Sequence, residues 1–361
     1  MKKKNDTSND DAVSDASQST LSSKAHLLNI LRDQKGKPLS GSKLAKALNV
    51  SRVAVWKTVQ SLTDAGYSID TGETGYSLNP KNEKDFLYPW EFGEKENLFF
   101  HYQNTGSTMD RAREHALRSS MKSGFVFTAE KQNAGRGRNG RSWISRQGGL
   151  FFSVLERPRL AIADYSLYSL MMQIAVVRCI SLICGKKAYL RWPNDIYINR
   201  RKIAGVTTEI AGEGDLIAWL TGGIGVNVNN LIPSAKATSC AEVIGHHISR
   251  REVLNDILNE IDNVKKSFAI NAVYSQGNPP LAAEWNSLSD CIGAKAAIFE
   301  PAAEKGLIPV NREINTVYKN DKILARGIFN GIDPAGRCIL KTEDSTLYFN
   351  QGTVSMAFLN P

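Results

Sequence analysis

The sequence lacks the marks of a secreted or membrane protein. Its five cysteines include no C-x-x-C pair, and an odd, scattered set argues against a disulfide framework and a zinc site. The lysine-rich start has no apolar stretch behind it, as a secretory signal would require. The longest apolar run, residues 171–184, is interrupted by Arg178 and is shorter than the roughly 18 residues of a membrane span. We therefore expect reduced thiols, a buried helix over this run, and a cytoplasmic protein without a membrane partner.

Patterns for metal or covalent catalysis are also absent. The five histidines show no metal-ligand spacing, so no metal site is predicted. No Ser-His-Asp or Cys-His arrangement is recognisable in the sequence, and such arrangements are the usual basis of nucleophilic catalysis. Covalent and metal-based mechanisms are therefore not predicted.

The composition that remains is typical of a globular chain with several domains. At about 150 residues per domain, a length of 361 residues suggests two or three domains. The content of 42% hydrophobic and 22% charged residues fits this class. The net charge of +9 favours phosphorylated or polyanionic partners. Residues 1–23 are polar and are predicted to form a disordered tail.

Residues 24–82 have the pattern of a winged helix-turn-helix domain. A short apolar helix over residues 26–32 is followed by a second helix from Ser42 and a tight turn. Another helix begins after Ser51, whose hydroxyl can accept from free backbone N–H groups of the first turn. A hairpin tipped by glycines then follows, in the position of a wing.

The helix after Ser51 should present its polar side outward. Its inward positions are Val55, Val59 and Leu62. The second helix of such a motif enters the major groove of DNA. The predicted DNA contacts are Ser51, Arg52, Trp56 and Lys57. The alternative is a small helical domain that binds a protein, because outward basic residues are often only a solvated face.

The segment AGRGRNGRSW, residues 134–143, satisfies G-x-G-x-x-G without being a dinucleotide fingerprint. Such a fingerprint needs a strand before the glycines and a helix directly after them. Here the strand FVFTAE precedes the segment, but RSWISRQGG and a second apolar strand, LFFSVLE, follow it. An RNA-binding arginine-glycine tract would be repetitive, whereas this segment occurs once. The segment predicts a loop between two strands, with glycines for close backbone approach and arginines for phosphate or carboxylate.

Three other segments carry polar residues suited to the same ligand. Ser107 and Thr108 begin a predicted helix, and either hydroxyl caps that helix or binds a ligand. Gln132 either bonds an amide-like ligand or faces water. In RWPNDIYINRRKIAG, a hairpin folds at residues 199–201, and Lys202 is either a surface residue or a fixed cation. In AWLTGGIGVNVNN, strand glycines imply close approach of a ligand or another backbone.

Behind the winged helix-turn-helix, the segments AGRGRNGRSW, RWPNDIYINRRKIAG and GIGVNVN resemble the bifunctional biotin protein ligases and biotin operon repressors. The resemblance covers nearly all of the chain after the tail. It implies that biotin and ATP form biotinyl-5′-AMP and pyrophosphate, and that a lysine of a biotin carboxyl carrier protein then attacks the mixed anhydride. It also implies Mg²⁺ with the ATP, and an adenylate-bound homodimer that binds operator DNA and represses biotin synthesis genes.

The resemblance also assigns roles to single residues. The implied biotin contacts are Ser107, Thr108, Gln132, Arg136, Gly137, Arg138, Lys202 and Gly205. The implied catalytic cations are Lys202, Arg136 and Arg138, with Lys202 between the biotin carboxylate and the α-phosphate. Trp143 and Asn227 would contact the adenylate. Met109 stands where the family pattern has asparagine, which puts one polar biotin contact in question.

The residue types suit this chemistry on physical grounds. A carboxylate that attacks the α-phosphate of ATP brings two anions together, and fixed positive charge with correct orientation offsets their repulsion. The adenylate is prone to hydrolysis, so a loop that orders over it protects it by excluding water.

The implied fold class is a multidomain α+β protein. The winged helix-turn-helix domain at 24–82 precedes a central mixed α/β ligase domain, similar to class II synthetases, at 83–290. A small SH3-like β-barrel follows at 291–361. A linker is expected at 302–309, close to an uncertain domain boundary.

Two other functions stay open at this point. One is a biotin-sensing transcription factor that has lost catalysis, but a sensor of free biotin would not need Lys202 and an intact arginine loop for phosphate. The other is a lipoate or octanoyl ligase with a similar core, which the sequence GRGRNGR disfavours.

Overall fold

A computed structural model of the chain describes residues 21–82, 84–118, 122–138, 141–267, 279–301, 321–352 and 354–358. Most of the predicted tail and the whole predicted linker at 302–309 lie outside the described residues. The chain divides into two compact units. The first runs to Lys84 and includes Pro89–Asn97, and the second contains Asp85–Tyr88 and continues from Leu98. The predicted domain boundaries stay predictions.

The first unit contains three helices and a hairpin, in the order predicted for a winged helix-turn-helix. Its elements are α1 (Ser23–Asp33), α2 (Gly41–Leu48), α3 (Arg52–Asp64), β1 (Ile69–Gly72) and β2 (Gly75–Leu78). The Ser51 hydroxyl accepts from Ala54 N at 3.1 Å, as a cap of α3. The second helix begins at Gly41 rather than Ser42, because Ser40 caps it.

Helix α3 divides into a buried and an exposed side as the spacing predicts. Val55, Val59 and Leu62 are fully buried. The exposed residues of this helix include Arg52, Trp56, Lys57 and Gln60. The side chains predicted to contact DNA are therefore accessible at the surface of the first unit.

A 3₁₀ segment, Pro89–Leu98, was not foreseen from the sequence. Its Glu91 accepts from Arg32 at 2.9 Å and also from the Tyr67 hydroxyl. Burial, followed by the neighbouring Glu91 carboxylate, raises the pKa of Tyr67 well above its usual value. These contacts explain why this segment belongs to the first unit.

The second unit is built on a seven-stranded mixed sheet. Its strands are β3 (Phe99–Thr105), β4 (Phe125–Gln132), β5 (Leu150–Glu156), β6 (Tyr189–Arg191), β7 (Asp195–Ile198), β8 (Arg201–Glu213) and β9 (Leu216–Val226). The strand order is β3-β4-β5-β9-β8-β7-β6, with β3 and β4 parallel and the other neighbours antiparallel. The two strands predicted to flank the arginine-glycine segment are confirmed as β4 and β5.

Helices pack against this sheet and against one another. They are α4 (Thr108–Ala116), α5 (Tyr165–Cys184), α6 (Cys240–Ile244), α7 (Arg250–Ser267) and α8 (Pro279–Ser287). Within the described residues, one helical stretch, Ile162–Cys184, is long and apolar enough for a membrane span, but most of it is buried in the fold. The interrupting Arg178 pairs with Glu260 on α7 at 2.6 Å and with Glu284 on α8. The prediction of a buried helix is confirmed.

A five-stranded antiparallel sheet completes the second unit. Its strands are β10 (Lys295–Glu300), β11 (Lys322–Ile332), β12 (Cys338–Lys341), β13 (Thr346–Phe349) and β14 (Ser355–Phe358). They are ordered β13-β12-β11-β10-β14. The turn after β11 contacts α5, where the Ser166 hydroxyl donates to Ala335 O at 2.8 Å. The five-stranded sheet is therefore in contact with α5, a helix of the same unit.

Candidate active site

A cavity of about 690 Å³ lies in the second unit. Residues from α4, both sheets and the arginine-glycine segment form its wall. The structure brings every residue predicted to contact the small molecules to this one cavity. They are Ser107, Thr108, Gln132, Arg136, Gly137, Arg138, Trp143, Lys202, Gly205 and Asn227.

One end of the cavity is a network of hydroxyl and carboxamide groups. The backbone N–H and the hydroxyl of Thr108 both donate to Gln132 Oε1, at 2.8 and 3.2 Å. Gln132 Nε2 donates to Ser145 Oγ at 2.8 Å, and the Thr108 hydroxyl is 2.8 Å from Ser153 Oγ. Gln132 is therefore held in one orientation at the cavity wall.

Ser107 both caps a helix and lines the cavity. The hydroxyl accepts from Met109 N at 3.2 Å as the cap of α4, and the residue also lines the cavity. The cap places Ser107 and Thr108 at the end of α4 that meets the cavity. Because a helix N-terminus carries a partial positive charge, this end suits an acceptor group of a ligand.

Lys202 is a buried residue of the cavity wall. Only 9% of its surface is exposed, so it is not a surface lysine. Its Nζ donates to Asp195 Oδ1 at 2.5 Å and lies 5.2 Å from the ring centre of Trp143. The ion pair compensates the charge of Lys202 where water is largely excluded.

The hairpin of β7 and β8 places this pair. Its turn residues, Asn199 and Arg200, both have positive φ, at 49° and 63°, as a two-residue type I′ turn requires. The prediction of a hairpin at this point is confirmed. Asp195 is the first residue of β7, and its pairing with Lys202 follows from the fold of the hairpin.

Two glycines form a floor beneath the indole of Trp143. Gly205 on β8 and Gly225 on β9 are direct cross-strand partners. A Cβ atom would lie 2.6 Å from Trp143 Cε2 at Gly225 and 3.2 Å from Cζ3 at Gly205. The predicted close approach to these strand glycines is therefore made by a side chain of the arginine-glycine segment.

The arginine-glycine segment is fastened at several points. Arg136 pairs with Asp110 at 2.7 Å and with Glu209 at 3.3 Å. Arg138 donates to the backbone oxygens of Gly352 and Val354, at 2.8 and 3.4 Å. Asn139 and Gly140 of the predicted loop lie outside the described residues. The described part connects α4 and β8 with the C-terminal sheet.

Arg138 is a cation held mainly by neutral groups. Burial lowers its pKa to about 10, against the opposing attraction of Asp195. Its guanidinium still carries a positive charge at neutral pH. Arg141 makes a parallel contact by donating to Ser355 Oγ at 3.1 Å.

The charges around the cavity are strongly unequal. The basic residues that line it are Arg136, Arg138, Arg141, Arg146, Lys202 and Lys236. Among the described lining residues, Asp195 is the sole carboxylate. Asp110 and Glu209, which lie outside the described lining, pair with Arg136. The lining still has more cations than these carboxylates and Asp195 together, so it suits a ligand that carries negative charge.

Comparison with known proteins gives the family. The sequence patterns of the "Biotin/lipoate A/B protein ligase family", an "HTH domain" and the "Biotin protein ligase C terminal domain" match residues 102–229, 24–77 and 310–356. The chain is 31% identical over 266 residues to "Bifunctional ligase/repressor BirA" of Bacillus spizizenii, covering 71% of this chain and 80% of that protein. The chain belongs to the biotin protein ligase family.

Other members of the family extend the comparison. "Bifunctional ligase/repressor BirA" of Escherichia coli is 26% identical over 332 residues, covering 88% of this chain and 92% of that protein. Among solved structures, "Biotin protein ligase from Aquifex aeolicus in complex with biotin and ATP" matches with a TM-score of 0.56 and 24% identity, covering 72% of this chain and 99% of that one. The likeness to the Aquifex aeolicus structure shows a shared fold.

The remaining predicted site residues of this biotin protein ligase family member lie in the first unit. Ser51, Arg52, Trp56 and Lys57 are all at or near the start of α3.

No metal was predicted, and in the described ranges no cluster of three or more His, Cys, Asp or Glu side chains could hold one. The sequence did not point to four further lining residues, Asp195, Arg141, Lys236 and Asn230, or to Ser145 and Ser153, which hydrogen-bond with Gln132 and Thr108.

Proposed function

We infer that this chain joins biotin to AMP in the described cavity and then transfers the biotin to a lysine of a carrier protein. The observation that carries this inference is the buried Lys202, held by Asp195 in the wall of a cavity that Thr108, Gln132 and several arginines also line. The family membership supports the same reaction. The acceptor that we propose is the biotin carboxyl carrier protein of acetyl-CoA carboxylase.

Biotin occupies the end of the cavity near Thr108 and Gln132. Its ureido ring offers N–H donors and a carbonyl acceptor, which match fixed hydroxyl and carboxamide groups. Ser107 and the backbone at Gly137 and Gly205 complete these contacts. The fixed Gln132 orientation reduces the entropy that binding must remove.

The carboxylate of biotin then meets the α-phosphate of ATP near Lys202. Lys202, Arg136 and Arg138 supply the positive charge that offsets the repulsion between these two anions. One carboxylate oxygen forms a bond to the α-phosphorus, and the bond to the bridging oxygen of pyrophosphate breaks. Asp195 keeps Lys202 in place before the substrates arrive.

The nucleotide lies toward Trp143 and Asn227. The indole stands over Gly205 and Gly225, where an apolar surface can pack against a base or ribose. The arginine-glycine segment covers the product and protects the mixed anhydride from water. Mg²⁺ would enter with ATP, because among the described residues of the cavity wall the one carboxylate, Asp195, is already paired with Lys202.

The first unit adds a second activity to the ligase. Ser51, Arg52, Trp56 and Lys57 present exposed groups at the start of α3, the part of such a motif that reads the major groove. We propose that the adenylate-bound chain forms a homodimer, binds operator DNA and represses biotin synthesis genes in the cytoplasm. We further propose that β10–β14 form an SH3-like barrel.

Adenylation and transfer can be tested with the purified chain. Biotin, ATP and a carrier domain should give pyrophosphate release that requires biotin, followed by biotin attached to the carrier. A carrier whose acceptor lysine is replaced by arginine should accept none. Octanoate and lipoate, tested as competing acids, distinguish the proposed biotin ligase from the lipoate-type alternative. Pyrophosphate release that prefers either acid to biotin, or that needs no acid, would refute the proposed reaction.

A further inference from the structure

Four charged side chains form a ring of alternating sign where the arginine-glycine segment meets α4 and β8. The guanidinium of Arg136 lies 2.7 Å from an oxygen of Asp110 and 3.3 Å from an oxygen of Glu209. The guanidinium of Arg113 lies 2.7 Å from the same oxygen of Asp110 and 3.7 Å from the second oxygen of Glu209. Each carboxylate therefore lies between two guanidinium groups.

The two carboxylates of the ring belong to elements that also form the cavity. Asp110 and Arg113 are three residues apart on α4, a spacing that makes them neighbours on a helix surface. Asp110 lies in the first turn of α4, where the partial positive charge of the helix end favours a carboxylate. Glu209 lies on β8. The carboxylates thus belong to the helix that begins with Thr108 and to the strand that contains Lys202.

The ring is accessible to dissolved ions, since 27–46% of each of its four side chains is exposed. A single exposed ion pair contributes little, whereas several charges in one network contribute more. Salt screens such pairs, with a Debye length of about 10 Å at an ionic strength of 0.1 M. The strength with which the ring holds Arg136 should therefore depend on the ionic strength.

The ring differs in kind from the contacts that the segment makes with the C-terminal sheet. Arg138 donates to backbone oxygens and Arg141 donates to a hydroxyl, and both acceptors are neutral. Arg136 is held by carboxylates instead. Because salt screens the attraction between opposite charges, the attachment at Arg136 should respond to salt more strongly than these contacts with neutral groups.

We propose that Asp110 and Glu209 are positioning residues, which hold the arginine-glycine segment over the cavity through Arg136, and that increasing ionic strength loosens this attachment. The proposal rests on the proposed function, in which the segment retains biotinyl-5′-AMP. Neither carboxylate is among the described residues that line the cavity, so both act on the product through Arg136. Neutralising one of them leaves Arg136 with a single carboxylate, which Arg113 also contacts.

The test measures how fast biotinyl-5′-AMP leaves the purified chain at low and at high concentrations of sodium chloride. The adenylate is formed on the protein, free biotin and ATP are removed, and release is followed by rapid filtration. Asp110→Asn and Glu209→Gln should each accelerate release about threefold at low salt, as the loss of one partly exposed ion pair would give. High salt should accelerate release from the wild-type chain more than from either variant. The rate of pyrophosphate release in the first turnover should change little.

Two matched variants separate this role from a general effect on α4. Glu114→Gln removes a carboxylate of the same helix that pairs with Arg111 at 3.0 Å, and it should release the adenylate at the wild-type rate. Arg113→Gln removes the other cation of the ring and should not accelerate release, because both carboxylates remain beside Arg136. If Arg113→Gln accelerates release as much as Asp110→Asn does, the ring acts only on the fold of α4 and the assignment is wrong.

The double variant Asp110→Asn with Glu209→Gln gives the most direct outcome. It should release the adenylate faster than either single variant and should show the weakest response to salt. Release at the wild-type rate, or a response to salt equal to that of the wild-type chain, would overturn the proposal. If the wild-type chain forms no biotinyl-5′-AMP from biotin and ATP, the proposed ligase reaction itself is wrong.

Discussion

At the scale of single residues, the proposed reaction depends on the Lys202–Asp195 pair. Both groups are almost fully buried, and each compensates the charge of the other. Removing one partner of a buried pair leaves an uncompensated charge, which typically costs about 3–5 kcal/mol of folding stability. Activity and stability must therefore be separated in any test of Lys202.

Lys202→Ala should abolish biotin-dependent pyrophosphate release, because no other cation in the site has the same place between the two anions. The variant should also unfold at a lower temperature, since the Asp195 carboxylate loses its hydrogen bond with Lys202 Nζ. The double variant Lys202→Ala with Asp195→Asn should regain most of that stability and remain inactive. Thermal unfolding measures the first quantity and pyrophosphate release the second. Activity retained by either variant would contradict the role of Lys202.

His101 on β3 gives the second unit a defined sensitivity to acid. Burial, followed by the nearby Arg250 guanidinium, lowers the pKa of His101 to about 4. Its Nδ1 lies 3.0 Å from Thr128 Oγ1, and its Nε2 lies 3.7 Å from Glu130. In the unfolded chain a histidine has its ordinary pKa of about 6.5. The unfolded state therefore binds a proton between these values, and the folded state does not.

The free energy of unfolding should consequently fall as the pH decreases from about 6.5 to about 4, by about 3 kcal/mol from this residue. Above pH 6.5 the contribution is constant. His101→Gln should remove that part of the pH dependence while other carboxylates continue to contribute. Denaturant unfolding at pH 7 and pH 4.5 measures both proteins. Identical losses of stability in both would disprove the assignment to His101.

The charged residues and the glycines of the site are easier to predict from the sequence than the residues that hydrogen-bond with the site. Lys202 and the arginines stand out because charge in an apolar setting is unusual, and the strand glycines because they are weak strand formers. Ser145, Ser153 and Asp195 carry no such signal, since serine and aspartate are ordinary residues of turns and sheets. Their roles depend on how the strands pair. No local sequence pattern predicts the pairing of strands that are distant in the sequence.

At the scale of elements, the arginine-glycine segment depends on the C-terminal sheet. Arg138 donates to the backbone on both sides of residue 353, and Arg141 donates to Ser355 at the start of β14. A charged donor contributes more to a hydrogen bond than a neutral donor does. The segment is thereby held over the cavity by an element that is distant from it in the sequence.

Arg138→Ala should weaken this cover and let biotinyl-5′-AMP escape. We expect roughly a tenfold faster release of the adenylate into solution, as the loss of one charged hydrogen-bonding group would give. Chromatographic assay of free adenylate after rapid filtration measures it. Arg159→Ala, an exposed arginine after β5, is the matched control and should retain the product. Unchanged retention by the Arg138 variant would show that the cover does not depend on this contact.

Elements with local signals were predictable, and those without them were not. Ser51 caps α3 and paired turn residues fold the β7–β8 hairpin, so both features were read from a few neighbouring residues. The 3₁₀ segment at Pro89–Leu98 has neither periodicity nor a cap, and its place depends on the Glu91 contacts with Arg32 and Tyr67. Glu91 is more than twenty residues from both partners in the sequence, so these contacts leave no local pattern that would predict the segment.

At the scale of the whole molecule, the two proposed activities lie in different compact units. If the adenylate controls DNA binding, biotin with ATP should double the sedimenting mass and permit binding to the promoter DNA of biotin synthesis genes. Arg52→Ala with Lys57→Ala should weaken DNA binding about tenfold at constant salt and leave biotin transfer unchanged. Sedimentation and gel-shift assays measure these effects. The same mass with and without the adenylate would refute the corepressor mechanism.

The cavity wall extends from Ser107 to Ser355, which has a consequence for the order of synthesis. While the ribosome is still making the second sheet, a nascent chain already has Lys202, the glycine floor and the partners of Arg136, Asp110 and Glu209. The groups of residues 352–355 to which Arg138 and Arg141 donate are made last. The cavity wall is therefore completed only when almost the whole chain has been translated.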